Sequence, residues 1–421
     1  MACRSACRRL LLATAGTLYV FVLVIATRLT ASQTASPPSP DSQRSQTALL
    51  EDDPAIAYAT GPVTDRVAML SRAIASGHRA LTRDASTGYL RSLLRDLGVA
   101  EESQLLTFAK TGVQRQYTNP QNPRALYYDR SVAVGYVAGA PLIEIASHDP
   151  RQGVIFYTLE QQSDPPVLKR ATSCLMCHVS ATTLYVPGLI VRSNSVNETG
   201  EPLPQLGSYD VDHRTPHPDR WGGWFVTSDA GAVPYAQRAH GGNITYSAGG
   251  ITSNQVFIDW INSSPETRGY LSPLSDIVSL LVFDHEAHAI NLLTRVNWES
   301  RAGAADGELQ RLTDELADYL LFAREVPPSV PLIARAGFAE QLMARTPKDR
   351  RGRSLAELDL DRRLFRYPCS LMMYSEAFDG LPAGIKRAIY RRLQTALAGT
   401  AEGRAALEIL RDTKSDFPSD E

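Results

Sequence analysis

The chain has little cysteine, no excess of charge of either sign and no repeated segment. With 5 Cys in 421 residues, it is not a small scaffold stapled by disulfides. Its 43 Lys and Arg against 45 Asp and Glu leave a net charge of −2. That balance excludes a strongly basic nucleic-acid footprint and supplies no field to collect acidic substrates. No GxGxxG segment offers a nicotinamide or flavin a phosphate cradle. What is present is a globular composition: 43% hydrophobic and 21% charged residues argue for a substantial core and against global disorder. The length suits two or three domains, or one large one.

Arg4, Arg8 and Arg9 precede Leu10 to Thr27, a stretch without a charge. At about 1.5 Å per residue it reaches about 27 Å, close to the hydrocarbon thickness of a bilayer. Residues 1–30 are therefore expected to form an N-terminal transmembrane anchor or a signal helix. Length favours the anchor; weak small-residue cleavage sites at Val24-Ile25-Ala26 and Thr30-Ala31-Ser32 keep the signal peptide open. The leading arginines put the rest of the chain outside the cytoplasm on either reading. Residues 31–54, rich in Ser, Thr, Gln and Pro, read as a disordered linker. One globular domain is expected over 55–412, followed by a polar tail over 413–421.

Within that domain, residues 63–97 read as helices, the second ending at Gly98 after periodic leucines. Residues 124–161 read as strands, with Val132, Val134 and Tyr136 alternating with small residues. Residues 197–255 are dense in Gly, Pro, Asn and Asp. From about 255 to 412 the pattern is helical again, including the long apolar segment Ile277 to Trp298. The expected fold class is mainly α, with a small antiparallel β element and a long irregular central region.

Residues 174–178 read Cys-Leu-Met-Cys-His, the CxxCH attachment signature of c-type haem. Two thiols at this spacing can bond to the two vinyl groups of one haem, and the adjacent His then lies under the iron. Structural zinc would need two more ligands, and Cys369 is the one other Cys beyond the apolar stretch. A thiol–disulfide oxidoreductase would place CxxC at a helix start in a βαβ unit, whereas the strands before Cys174 read as a meander. Cys369, in RYPCSLMMY, reads as a buried thiol; Cys3 and Cys7 would face the cytoplasm.

The five residues from Cys174 to His178 resemble the motif of c-type cytochromes. With RWGGW, HGGN and DHEAH, the chain resembles exported bacterial cytochrome c-domain proteins. The resemblance implies one covalent haem c, thioethers at Cys174 and Cys177, and His178 as proximal ligand. Small cytochromes c carry a Met ligand some tens of residues after the motif. Here the next Met after Met176 is Met343, so a His/Met iron is not expected.

The sixth position stays open among several candidates. His213 and His217 lie in a turn-rich loop, where a histidine is more often solvated. His240 begins HGGN, where glycines let backbone approach a planar cofactor. His285 and His288 lie in DHEAH; at about 100° per residue they share the face of Leu281 and Leu292, with Asp284 beside His288. That pair could ligate the iron, hold a second metal, or be satisfied core histidines. An open sixth site is the remaining alternative. Arg220, Trp221 and Trp224 could donate to haem propionates, or serve as core aromatics at a glycine-tight turn.

The expected function is periplasmic electron transfer by a mono-haem protein on the outer face of a bacterial inner membrane. Its partner would be a redox protein or a small-molecule donor or acceptor; the N-terminal helix would contact the membrane, and nucleic acid is not a partner. The alternatives are a peroxidase- or oxygenase-type enzyme and a haem-based sensor. The large non-haem mass favours these, while the lack of a second haem motif argues against an enzyme.

Overall fold

A computed structural model describes residues 53–226, 244–247, 250–253, 269–272, 274–328, 331–332, 334 and 337–419. Residues 1–30, expected to form an anchor or a signal helix, and His240 lie outside the described residues. Among the described residues, no helix is long and apolar enough to cross a membrane. Residues Ala48–Glu421 belong to one compact unit.

Two helices open the fold. In α1 (Arg66–Ala75) the Asp65 carboxylate caps the N-terminus, accepting from the Val67 and Ala68 amides. In α2 (Leu90–Leu97) the buried Leu90, Leu93, Leu94 and Leu97 form one stripe, and Gly98 ends the helix at φ 70°, where a side chain would be strained.

The strands that follow overturn the expectation of a mainly α chain with a small β element. They are β1 (Leu105–Thr107), β2 (Arg124–Tyr128), β3 (Val132–Val137), β4 (Leu142–Asp149), β5 (Gly153–Glu160) and β6 (Leu168–Arg170). After the short helix α3 (Leu175–His178) come β7 (Arg192–Asn194), β8 (Ser208–Asp210) and β9 (Trp224–Phe225). One seven-stranded sheet runs in the order β6-β5-β4-β3-β2-β1-β9, every pairing antiparallel. The sheet thus draws its edges from outside 124–161, and β9 comes from the stretch read as irregular. β1, β6 and β9 are two or three residues long, too short to carry a period-2 pattern. β7 pairs with β8, and β10 (Ile244–Ser247) with β11 (Gly250–Ser253), as separate two-stranded ribbons.

The sheet has two different faces. Tyr127, Val134, Tyr136, Ile143, Ile145, Ile155 and Leu159 pack with the leucines of α2. Tyr128, Ala133, Val154 and Phe156 join a second core around α4 (Ile277–Ala302). That helix is capped by Asp276 and ended by Gly303 at φ 77°. It is buried nearly all round, polar residues included, so each of those must find a partner inside the protein. Helices α5 (Asp306–Leu320), α6 (Phe338–Ala344), α7 (Glu376–Asp379), α8 (Ala383–Leu397) and α9 (Ala401–Thr413) complete the helical layer.

Candidate cofactor-attachment site

The CxxCH segment hangs from the edge of the sheet. β6 pairs with β5, and the next amide, Ala171, donates to the Phe156 carbonyl at 2.8 Å. A 3-10 turn over Thr172–Cys174 then leads into α3, which Val179 ends by donating to Leu175 O at 3.0 Å. One helical turn therefore carries Cys174, Cys177 and His178. Both thiols are free, Cys174 half-buried and Cys177 exposed. Burial raises the Cys174 pKa, with Glu144 acting in the same sense and Arg124 opposing it. Met176, between them, is 86% exposed, which is unusual for so large an apolar side chain.

His178 lies with its ring 4.6 Å from the Phe156 ring, and its Nδ1 is 2.8 Å from the Gly188 carbonyl. A carbonyl only accepts, so Nδ1 carries the proton and Nε2 keeps its lone pair. Nε2 makes no hydrogen bond among the described residues. Burial lowers the His178 pKa, and the Gly188 hydrogen bond only partly offsets this, so the ring is neutral at pH 7. A neutral imidazole with Nδ1–H on a carbonyl and a bare Nε2 is the form in which histidine binds metals.

The Gly188 carbonyl is itself held by α4. The Leu189 amide donates to Asn291 Oδ1 at 2.9 Å, and Asn291 Nδ2 donates to Leu189 O at 2.8 Å. One turn further on, Arg295 donates to Leu184 O at 3.1 Å. A Cβ on Gly188 would lie 2.2 Å from Asn291 Oδ1, so glycine is required for this approach. Leu184 and Tyr185 both adopt left-handed backbone, at φ 57° and 59°, a strained pair in the loop that follows the motif.

The residues present fit a covalently attached haem. Two unpaired thiols, a neutral imidazole with a free Nε2 and a carbonyl that fixes its tautomer share one turn and the loop behind it. Cys174 and Leu175 pack against the core cluster that contains Phe156, as do Leu126 and Ala146, which lie on the sheet face that bears Phe156.

The other candidates from the sequence are placed differently. Trp224 donates its indole N–H to the Arg192 carbonyl at 3.0 Å, and Trp221 is fully buried in the core. Arg220 is also buried; it donates to the Thr215 and His213 carbonyls, with Asp284 3.9 Å away. The donors of Arg220 and Trp224 therefore serve the fold. Cys369 is a buried thiol, pushed up to about 12 by burial.

His213 and His217 are not solvated loop residues: both are buried, and burial lowers their pKa values to about 3 and 4. His285 contacts His213, Nδ1 to Nδ1, at 2.8 Å, and its Nε2 lies 2.6 Å from Ser370 Oγ. His213 Nε2 lies 3.3 Å from the Ala323 carbonyl. The carbonyl fixes the whole chain: His213 Nε2 donates to it, His285 Nδ1 donates to His213, and Ser370 donates to His285 Nε2. Every ring is neutral, and both His285 nitrogens are used.

His288 accepts from Arg214 at 3.1 Å, and Arg214 is paired with Asp212. His288, Arg214, Asp212 and Asn291 line a cavity of about 250 Å³. Through Asn291 and Leu189, α4 is tied to the peptide whose Gly188 carbonyl accepts from His178 Nδ1. Among the described residues no group of three or more His, Cys, Asp or Glu is arranged to hold a metal ion.

Sequence reasoning missed Arg124, Glu144, Gly188 and Asn291. The strand pattern contained Arg124 and Glu144, but only the sheet register puts them on the face beneath the motif. Comparison with family models, with curated proteins and with solved structures finds no match for this chain.

Proposed function

We propose that the protein is an exported mono-haem c-type cytochrome that carries electrons in the periplasm, tethered to the inner membrane or released from it. The observation that supports this best is the His178 arrangement, with Nδ1–H on the Gly188 carbonyl and Nε2 free beside two unpaired thiols. Cys174 and Cys177 would hold the haem as thioethers, and His178 Nε2 would ligate its iron. A bound haem supplies a one-electron ferric–ferrous couple. The chain's own part is to orient the imidazole through Gly188 and Asn291 and to keep it neutral by burial. Phe156 and the sheet face shield one side of the ring from water. The partner is a redox protein or a small-molecule donor or acceptor.

Electron transfer is preferred to peroxide or dioxygen chemistry because the histidines of α4 are committed elsewhere and are not free to act as a distal acid or base; of the sixth-ligand candidates in the sequence, His240 is the one left to close the iron. His285 has both nitrogens engaged, and His288 is held by Arg214. The test is an absorption spectrum of the exported domain made with haem-maturation machinery, before and after carbon monoxide. A low-spin spectrum indifferent to carbon monoxide is expected; a high-spin spectrum that shifts would move the function to an enzyme or sensor. Cys174→Ala and Cys177→Ala should each weaken or abolish haem staining of the denatured chain. Unchanged staining in both variants would sink the covalent assignment.

A further inference from the structure

The sheet register places a charge pair on the face that carries the motif. Phe156, which contacts His178, is paired with Ala146, and Glu144 stands two residues along the same strand. Glu144 is paired with Gly135, and Gly135 with Leu126, so Arg124 also shares that face. Arg124 Nη2 lies 2.8 Å from Glu144 Oε2. Arg124 Nε and Glu144 Oε1 are buried and have no hydrogen-bond partner, an expense that calls for a reason.

The guanidinium lies in a built cradle. A Cβ on Gly135 would meet Arg124 Nη2 at 2.8 Å, and one on Gly112 would meet Nη1 at 2.9 Å. Two glycines thus let the guanidinium lie flat between sheet and loop. Both members of the pair act electrostatically on Cys174 and on His178.

We propose that the Arg124–Glu144 pair sets the electrostatic field at the attachment site, and through it the reduction potential of the attached haem. This rests on the haem reading above. Reduction adds one electron to the iron, so a nearby positive charge favours the ferrous form and a negative charge the ferric form. In a partly buried site the two charges are weakly screened, and as a pair they nearly cancel. Removing either one exposes the other. These are tuning residues, with no role as ligands.

The experiment uses the full chain with haem attached, and a redox titration followed by absorption. Glu144→Gln should shift the reduction equilibrium about tenfold toward ferrous, about 59 mV for a one-electron couple. Arg124→Gln should shift it toward ferric, and the double variant should return close to wild type. Gly135→Ala, which displaces the guanidinium and removes neither charge, should give an intermediate shift. Staining that shows haem in all variants, with both single variants within twofold of wild type, would overturn the proposal.

A readout independent of haem uses the haem-free chain in a Cys177→Ser background. Glu144→Gln should speed alkylation of Cys174 at a fixed pH, and Arg124→Gln should slow it, as mapped by peptide mass. If wild type carries no haem, the functional reading fails, and the alkylation rates alone decide whether the pair governs the site. Rates equal in both variants would then overturn it.

Discussion

At Asp284 the fold buries a carboxyl whose two oxygens accept no hydrogen bond, with the Arg220 guanidinium 3.9 Å away. Burial raises its pKa to about 8, although Arg220 pulls the other way. Arg220 spends its own hydrogen bonds on the Thr215 and His213 carbonyls, which weakens its help. The native state therefore keeps a proton that the unfolded chain releases near pH 4. Stability from this group is full below that pH and is lost as pH rises through about 8. Asp284→Asn removes the linkage. Between pH 5 and 8, wild type should lose stability relative to the variant by about 1.4 kcal/mol per pH unit. Parallel stability curves from denaturant titrations over that range would refute this.

Among elements, α4 does most to build the site, because it is buried on every side and its polar residues reach in several directions. Asn291 and Arg295 hold the loop behind His178, His285 is tied to Ser370, and Asn297 donates to the Pro150 and Gly380 carbonyls. Asn291→Ala would leave both the Leu189 amide and its carbonyl without partners. A loss of about 1–3 kcal/mol is expected in denaturant unfolding. A second consequence is a loosened His178 ring, visible as broadened or heterogeneous absorption of the haem-loaded protein. A midpoint and spectrum equal to wild type would show that the clamp is dispensable.

The sequence placed this helix by its apolar length and placed both histidines on one face with Leu281 and Leu292. It could not tell that the opposite face is buried too, since periodicity marks a stripe only where water covers the remainder. The strands show the converse. The core of 124–161 alternates legibly, while the two- and three-residue edges that make the sheet seven-stranded do not.

For the whole molecule, burying histidines in a neutral state has an acid cost. His148, His217 and His288 are lowered to about 4 by burial, His213 to about 3, and His285 well below its usual value. The unfolded chain protonates these rings near pH 6.5 and the native state does not. Stability should therefore fall as pH drops from about 6.5 toward 4, with a net uptake of protons on unfolding. Asp284 and Glu286, both raised to about 8 by burial, oppose this over the same window but are fewer. A thermal midpoint that drops between pH 6.5 and 5 is expected; one that rises would mean the carboxyls dominate.

Legible from the chain alone were a CxxCH segment, a helix stop at Gly98, an apolar helix bearing two histidines, and strands over 124–161. Such features depend on neighbours in the chain, where spacing and residue type are sufficient. It takes the folded molecule to show which carbonyl His178 Nδ1 meets, that His285 and His288 are committed to Ser370, His213 and Arg214, and that Arg124 and Glu144 share the motif's face. Those facts depend on sheet register and on contacts between distant segments, such as Gly188 against Asn291. A shift of register by one residue would turn Glu144 to the other face without changing a letter of the sequence.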